Sequence, residues 1–264
     1  MQLRRTISTP DGKRRYVRQL FATIADRYDF ITRFLSYGQD RRWKRRLIEL
    51  ARLQPSDRVL DLACGTGDIV FAAAPQVERA VGLDVTHRML QLARGRIEAP
   101  LKGRPTTGTA SVVVGHPFTG CQAQLVTGDM LALPFPDRSF TVVTIGYGLR
   151  NVPDLQRSLL EIRRVLAPSG RMLSLDFNRP SNPLVRSAYL LYLTTVGSVL
   201  GYVLHRDPNT YRYIPESIRT YPGAHGVARM MEHAGFTNVR VVRVLGGFMA
   251  IHTASAPTNA PVPA

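Results

Sequence analysis

Two cysteines in 264 residues leave little scope for sulfur chemistry. Cys64 and Cys121 lie far apart and match no metal-ligand spacing, so neither a zinc site nor a disulfide framework is suggested, and a reducing cytoplasm is the compartment that fits. Acidic residues are also scarce. Against 35 Lys+Arg stand only 19 Asp+Glu, a formal charge of +16, and such a surface attracts the phosphates of nucleic acid or of anionic lipid without choosing between them. No apolar run follows the basic start Met1 to Arg5, so no secretory signal is expected, and no repeat of solenoid length is found. With 44% hydrophobic residues, the sequence is able to bury one sizeable core but hardly two.

One uncharged run is also strongly apolar. Ser187 to Leu204 holds eighteen residues without a charge, the lower edge of transmembrane length. A buried or substrate-facing helix is the first reading, because Ser, Thr and Gly interrupt the run. A membrane-dipping helix comes second and a true span third.

Residues 1–20 are polar and basic without clear periodicity and read as a solvated tail. Between Tyr28 and Leu53 apolar residues recur at helical spacing, broken at Ser36 to Gly38, which predicts two short helices. Strand then alternates with helix: strand Asp57–Leu62, helix Asp68–Ala74, strand Val77–Leu83, helix His87–Ile97. After a Gly/Pro/Thr/Ser-rich insertion loop at 99–124, with a strand-like Ser111–Val114, come strands at Gln124–Thr127 and Phe140–Gly146. Helix Asp154–Leu166 follows, then a turn at Pro168–Gly170 and strand Arg171–Phe177. Beyond the apolar helix at 184–204, Gly223–Ala234 reads as helix, and Val239–Leu245 and Phe248–His252 as an antiparallel pair. Residues 257–264 read as a disordered tail. The expected fold is α/β, a doubly wound, mostly parallel sheet closed by a C-terminal antiparallel hairpin, over 55–256, with a basic tail and helical cap at 1–54. Its ligand site belongs at the carboxyl ends of the strands.

The strongest local signal is Asp61 to Gly67, DLACGTG, between a strand and a helix. Gly65 and Gly67 let the backbone turn sharply and approach a ligand, and Thr66 adds a hydroxyl; tight packing alone would produce a similar turn. The dinucleotide fingerprint and the P-loop lysine are both missing. Asp84 closes the second strand, where a carboxylate can accept both hydroxyls of a ribose, with a helix cap as the competing role. Asp129 and Met130 follow the third strand, where an acid can receive an adenine amino group and an apolar group can flank the ring, although a surface turn would carry the same letters. Together these positions outline an adenosine site with no metal.

The stretches VLDLACGTGD, VGLDVTHRML, GDMLALPFPDRSFTVVTIGYGLRNV, EIRRVLAPSGRMLSLDF and YRYIPESIRTYP resemble the ubiquinone/menaquinone biosynthesis C-methyltransferases, the UbiE/MenG family. The likeness extends from about Tyr28 to His252. It implies a class I, Rossmann-like methyltransferase fold and S-adenosylmethionine held by Thr66, Asp84, Asp129 and Met130, with Gly146 also at the cofactor. It further implies that Tyr147, Arg150 and Asn151 face a prenylated quinol. Asp176 stands where that family usually has Glu. A quinol carbon becomes nucleophilic once its phenol ionises, so Arg150 suits an electrostatic role, with Tyr147, His225 and Asp129 as lesser candidates for proton handling. The partners expected are the quinol and an anionic membrane face, with a homodimer or a quinone-synthesis complex as further options, and the location is cytoplasmic and peripheral to the inner membrane face. A methyltransferase acting on RNA or another small molecule, and a non-catalytic scaffold, are the competing readings. No aromatic platform interleaves the basic residues, which counts against RNA.

Overall fold

Short Val-, Leu- and Ile-rich runs are suited to strands buried on both faces, and here they form the centre of an eight-stranded sheet of order β3-β4-β2-β1-β5-β6-β8-β7. The structure is a computed structural model, and it describes residues 2–36, 38–98, 113–115 and 122–258. Strands β1 (Arg58–Leu62), β2 (Arg79–Asp84), β4 (Gln122–Thr127), β5 (Phe140–Gly146) and β6 (Leu166–Phe177) run parallel. Strand β8 (Met249–Ser255) is antiparallel to both β6 and β7 (Thr237–Val244), and β3 (Val113–Gly115) is antiparallel to β4. The doubly wound sheet with its closing hairpin is thus as expected. The strand anticipated within the 99–124 insertion is present as β3, whereas 99–112 and 116–121 lie outside the described residues, as do Cys121 and positions 259–264 of the tail.

Alternate side chains of each strand feed alternate cores, as the pleat requires. Leu60, Leu62, Val81, Leu83, Val143 and Ile145 join Leu159 and Ile162 of α7 (Leu155–Val165) and Val227 and Met231 of α10 (Gly223–His233). Val59, Ala80, Val142 and Leu173 join Trp43 and Leu47 of α4 (Asp40–Ala51), Val70 of α5 (Asp68–Ala73) and Leu90 of α6 (His87–Glu98). Helices therefore cover both faces. The two helices predicted before the first strand are α3 (Tyr28–Leu35) and α4.

Four local readings need correction. Residues 1–20 are not a solvated tail: α1 (Gln2–Ile7) leads into α2 (Pro10–Ile24). Thr9 caps α2 by accepting the Gly12 amide at 3.2 Å, Pro10 starts it, and Asp11 complements the helix dipole. The turn at Pro168–Gly170 lies inside β6, where the register jumps from Phe140 opposite Leu166 to Val142 opposite Arg171 and Ser169 takes φ +60. That is a bulge within a strand rather than a break between elements. The segment YRYIPESI includes the start of an unanticipated helix, α9 (Tyr213–Thr220).

The fourth correction concerns the apolar run. Helix α8 (Pro183–His205) is mostly exposed: of its most apolar 18-residue window only 22% is buried. Leu190, Leu193, Gly197, Leu200 and Gly201 form the inward stripe. Leu184, Leu191, Val199, Tyr202 and Val203 face outward. Gly201 has no room for a side chain, since a Cβ there would sit 2.5 Å from the backbone oxygen of Asp207. Gly201→Val is expected to lower stability in urea unfolding by about 2 kcal/mol. Leu191→Ser, at 67% exposure, is expected to stay within about 0.5 kcal/mol. Equal losses would contradict this seating of α8.

Candidate active site

The carboxyl ends of β1, β2, β4 and β5 open into one cleft, the place a doubly wound sheet offers a ligand. After β1 the backbone turns at Gly65 (φ +55) and Gly67 (φ +88) before entering α5. At Gly67 an added Cβ would lie 2.2 Å from the Phe71 ring, so the turn needs glycine there for conformation and for space. Asp84, at the end of β2, is buried in the cleft wall. One carboxylate oxygen accepts the Gly65 amide at 2.9 Å and the other accepts the Thr86 amide at 2.8 Å. It thereby fixes the glycine turn to the loop after β2. Burial raises its pKa although these amides favour the charged form. A carboxylate has about four acceptor positions, so it can hold both amides and still receive hydroxyls from a ligand.

Gly65, Asp84, Asp129, Met130, Gly146, Tyr147 and Asn151 all line this cleft. Asp61, Thr66 and Gly67 do not. Asp61 is buried beneath the turn, accepts the Thr144 hydroxyl at 2.8 Å, and is pushed up to about 7 by burial. The Thr66 hydroxyl donates to Asp29 at 2.8 Å. Their positions suit them to support the turn rather than to touch what it holds. Asn151 donates to the Tyr147 carbonyl at 2.8 Å, and its own side-chain oxygen is buried with no partner among the described residues. That unpaired acceptor in a cleft wall is a place for a ligand donor. At Gly146 a Cβ would meet Ile69 at 2.7 Å, so the backbone there stays bare.

The fourth wall is α2, which the sequence reading overlooked. Arg14, Val17, Arg18 and Phe21 line the cleft, and Arg14 pairs with Asp129 at 2.5 Å. Asp129, expected to receive an adenine amino group, is therefore already bridged by a cation from the N-terminal helix. Lys13 of the same helix donates to the Arg150 carbonyl at 3.0 Å, with its pKa lowered to about 8 by burial and by the Arg150 charge. Its signal was the Thr9-Pro10-Asp11 start and the apolar positions Val17, Leu20, Phe21 and Ile24.

A second cavity adjoins the first and shares Phe21, Tyr28 and Tyr147 with it. Its other walls include Ile24, Ile31, Leu35, Trp43, Phe177, Tyr211 and Tyr213, and Arg150 is the one charged group among the described residues lining it. Arg150 is only 5% exposed. Its Nε donates to Asp176 at 3.2 Å and its Nη1 to Ser217 of α9 at 2.6 Å, and the guanidinium lies 5.0 Å from the Phe177 ring centre. Asp176 also accepts the backbone amides of Arg150 and Phe177.

Tyr147, at φ +61, stands between the two cavities. Its hydroxyl donates to Asp40 at 2.7 Å, and Asp40 pairs with Lys44 at 2.7 Å. Burial first, and Asp40 second, hold its pKa well above the usual phenol value. Tyr147 therefore keeps its proton at neutral pH, and its part is to shape the wall rather than to act as a base. His225 is exposed, bonds to Arg243 at 3.2 Å, and lines a different cavity, so it takes no part in proton handling here.

Residues 9–256 match the ubiE/COQ5 methyltransferase family. The chain belongs to that family. It is 38% identical over 250 residues to the ubiquinone/menaquinone biosynthesis C-methyltransferase UbiE of Teredinibacter turnerae, covering 94% of this chain and 93% of that protein. It is also 38% identical over 241 residues to the demethylmenaquinone methyltransferase of Thermus thermophilus, covering 90% of this chain and all of that one. Among solved structures, an S-adenosylmethionine-dependent methyltransferase of Thermotoga maritima, a possible histamine N-methyltransferase, superposes with a TM-score of 0.60 at 17% identity, covering 91% of this chain and 99% of the other. That likeness speaks for the fold alone.

As a ubiE/COQ5 methyltransferase the protein uses S-adenosylmethionine, and the cleft fits it: a buried carboxylate, an unpaired amide oxygen and a bare glycine backbone meet at the strand ends. Asp84→Ala is expected to weaken S-adenosylmethionine binding by about 100-fold, since hydrogen bonds to a charged group contribute about 1.5–3 kcal/mol each. Calorimetry showing unchanged affinity in a folded variant would remove Asp84 from the site.

Proposed function

We propose that this protein methylates a ring carbon of a prenylated quinol, with the donor in the first cleft and the ring in the second cavity. One observation carries this reading: two cavities meet at Tyr147, the first walled by Asp84 and Asn151 and the second apolar and aromatic, with Arg150 the single cation among its described lining residues. The names of the relatives agree with a quinone-pathway acceptor.

S-adenosylmethionine supplies an electrophilic methyl on sulfur. A ring carbon would accept it when the neighbouring phenol is ionised: the new C–C bond would form as the S–C bond breaks and S-adenosylhomocysteine leaves, and the ring proton would then pass to water to restore aromaticity. A phenol has a pKa near 10 in water, and an apolar cavity raises it further. Arg150 opposes that rise because it stays charged, although Asp176 offsets part of its field. Arg150 is thus a stabiliser of the developing phenolate, and Asn151 and Tyr147 position the reactants from the shared wall.

A prenyl tail explains the rest of the surface. The second cavity's Ile24, Ile31, Leu35 and Tyr211 belong to the same apolar cluster as Leu200 of α8. Phe30 and Phe34 of α3, stacked at 6.3 Å, are exposed, as is the outer face of α8. Exposed Arg27, Arg33 and Arg206 accompany them. Large exposed apolar faces with basic neighbours suit the boundary of an anionic bilayer, where the tail resides. A cytoplasmic enzyme peripherally bound to that boundary is the corresponding location.

Methyl transfer from labelled S-adenosylmethionine is expected to reduced demethylmenaquinol or its benzoquinol counterpart in detergent, with none to RNA. Arg150→Lys keeps a charge opposite Asp176 but loses the planar fork. It is expected to slow turnover by about 10- to 100-fold while cofactor affinity holds within about threefold. Label appearing only in RNA would overturn the acceptor, and an unchanged rate would overturn the role of Arg150.

A further inference from the structure

A third cavity, of about 330 Å³, opens at the N-terminal end of α8, remote in composition from the other two. Arg179, His225 and Arg243 line it, and no carboxylate is among its described lining residues. Neither arginine forms a salt bridge among the described residues. Arg243 instead donates to His225 Nε2 at 3.2 Å, so two positive groups and an imidazole share one lining with no negative group among its described residues.

The cavity is held in shape by Asn178 at the end of β6. Its side-chain nitrogen donates to the Gly247 carbonyl at 2.7 Å, and its oxygen accepts the Ala224 amide at 2.8 Å. That one residue joins the β7–β8 turn to the start of α10. The first turns of α8 and α10 both contribute to the wall, but Asn182 already accepts the Leu184 and Val185 amides and Asn178 the Ala224 amide, so the positive charge of the cavity rests on the arginines. A stabilised, unbalanced positive cavity of this size has room for a phosphate and a few attached atoms, at about 30 Å³ for each water-sized group.

We infer that this cavity binds a phosphate anion, the headgroup phosphate of an anionic phospholipid or a free phosphate. The lipid source rests on the membrane reading above, and the outer face of α8 supports it: Leu184 is 80% exposed and Val185, which lines the cavity, 43%. Apolar side chains beside a phosphate site reproduce the order of a bilayer surface, headgroup next to acyl tail. The cavity would then fix the rotation of the enzyme on the bilayer, where the α3–α8 face by itself supplies only adhesion.

The test compares the full-length protein with Arg179→Ala/Arg243→Ala, with a control pair Arg42→Ala/Arg229→Ala, and with Leu191→Ser/Val203→Ser. Each is assayed by vesicle flotation with phosphatidylcholine alone or mixed with phosphatidylglycerol, and by calorimetry with inorganic phosphate. The cavity variant is expected to lose about 25-fold in affinity for the anionic vesicles, about fivefold per arginine. It is also expected to lose any heat with phosphate, while the control pair loses less than about fivefold in vesicle affinity. If only the phosphate signal disappears, the cavity is assigned to the free anion. Phosphate binding that depends on Arg179 and Arg243 in a protein that binds no vesicle upholds the cavity and sinks the membrane reading; vesicle binding unaffected by Leu191→Ser/Val203→Ser removes the outer face of α8 as the adhering surface and with it the argument for the lipid source. Unchanged binding of both probes by the cavity variant, or an equal loss in the control pair, overturns the proposal.

Discussion

The contact on which the site depends is the buried pair of Arg150 and Asp176. A guanidinium taken out of water is costly unless its donors are matched. Here Asp176 takes Nε and Ser217 takes Nη1, while the Arg150 backbone donates to Asp176 and accepts from Lys13. Through one residue the β5 loop is tied to the end of β6, to α9 and to α2. Loss of either partner would leave the other as an uncompensated buried charge, a cost of about 3–5 kcal/mol. On the reading proposed above, the charge is kept inside to act on an acceptor in a cavity whose other described lining residues are uncharged.

That arrangement explains the division of labour between the two cavities. Asp84 and the glycine turn are built from strand ends, which place a donor with little freedom. The second cavity is built from helices α2, α3 and α9, whose apolar residues, on the reading proposed above, would admit a ring and pass its tail toward an exposed apolar face. Tyr147 belongs to both, and Asp40 and Lys44 fasten it there.

Much of this was legible in the sequence. Runs such as Val59–Leu62 and Val142–Ile145, each apolar at three of four positions, leave no polar alternation for a half-exposed strand, so the parallel sheet followed from their pattern. Asp84 and Asp129 line the cleft at the strand ends, as their positions suggested, and each also does the local work weighed against it: Asp84 accepts the Thr86 amide and Asp129 the Leu131 amide. What escaped was set by tertiary contacts. Helix α2 carries so many cations that its apolar stripe was overlooked, yet those cations include Arg14 on Asp129 and Lys13 on Arg150. Tyr147 looked like a candidate for chemistry until its hydroxyl was found committed to Asp40, more than a hundred residues earlier. The outward face of α8 could not be foreseen from a run apolar all round, since such a run fits a core and a membrane surface equally well.

The central claim is that Arg150 overcomes the apolar cavity and favours an ionised acceptor. It is tested by titrating a phenol-bearing quinol analogue bound to the enzyme, following the phenolate band in the ultraviolet with S-adenosylhomocysteine present. The expected result is a bound pKa at least about one unit below that of the free analogue, with the shift reduced in Arg150→Lys. A bound pKa equal to or above the free value would mean that desolvation and Asp176 cancel the guanidinium, and the electrostatic role of Arg150 would be wrong.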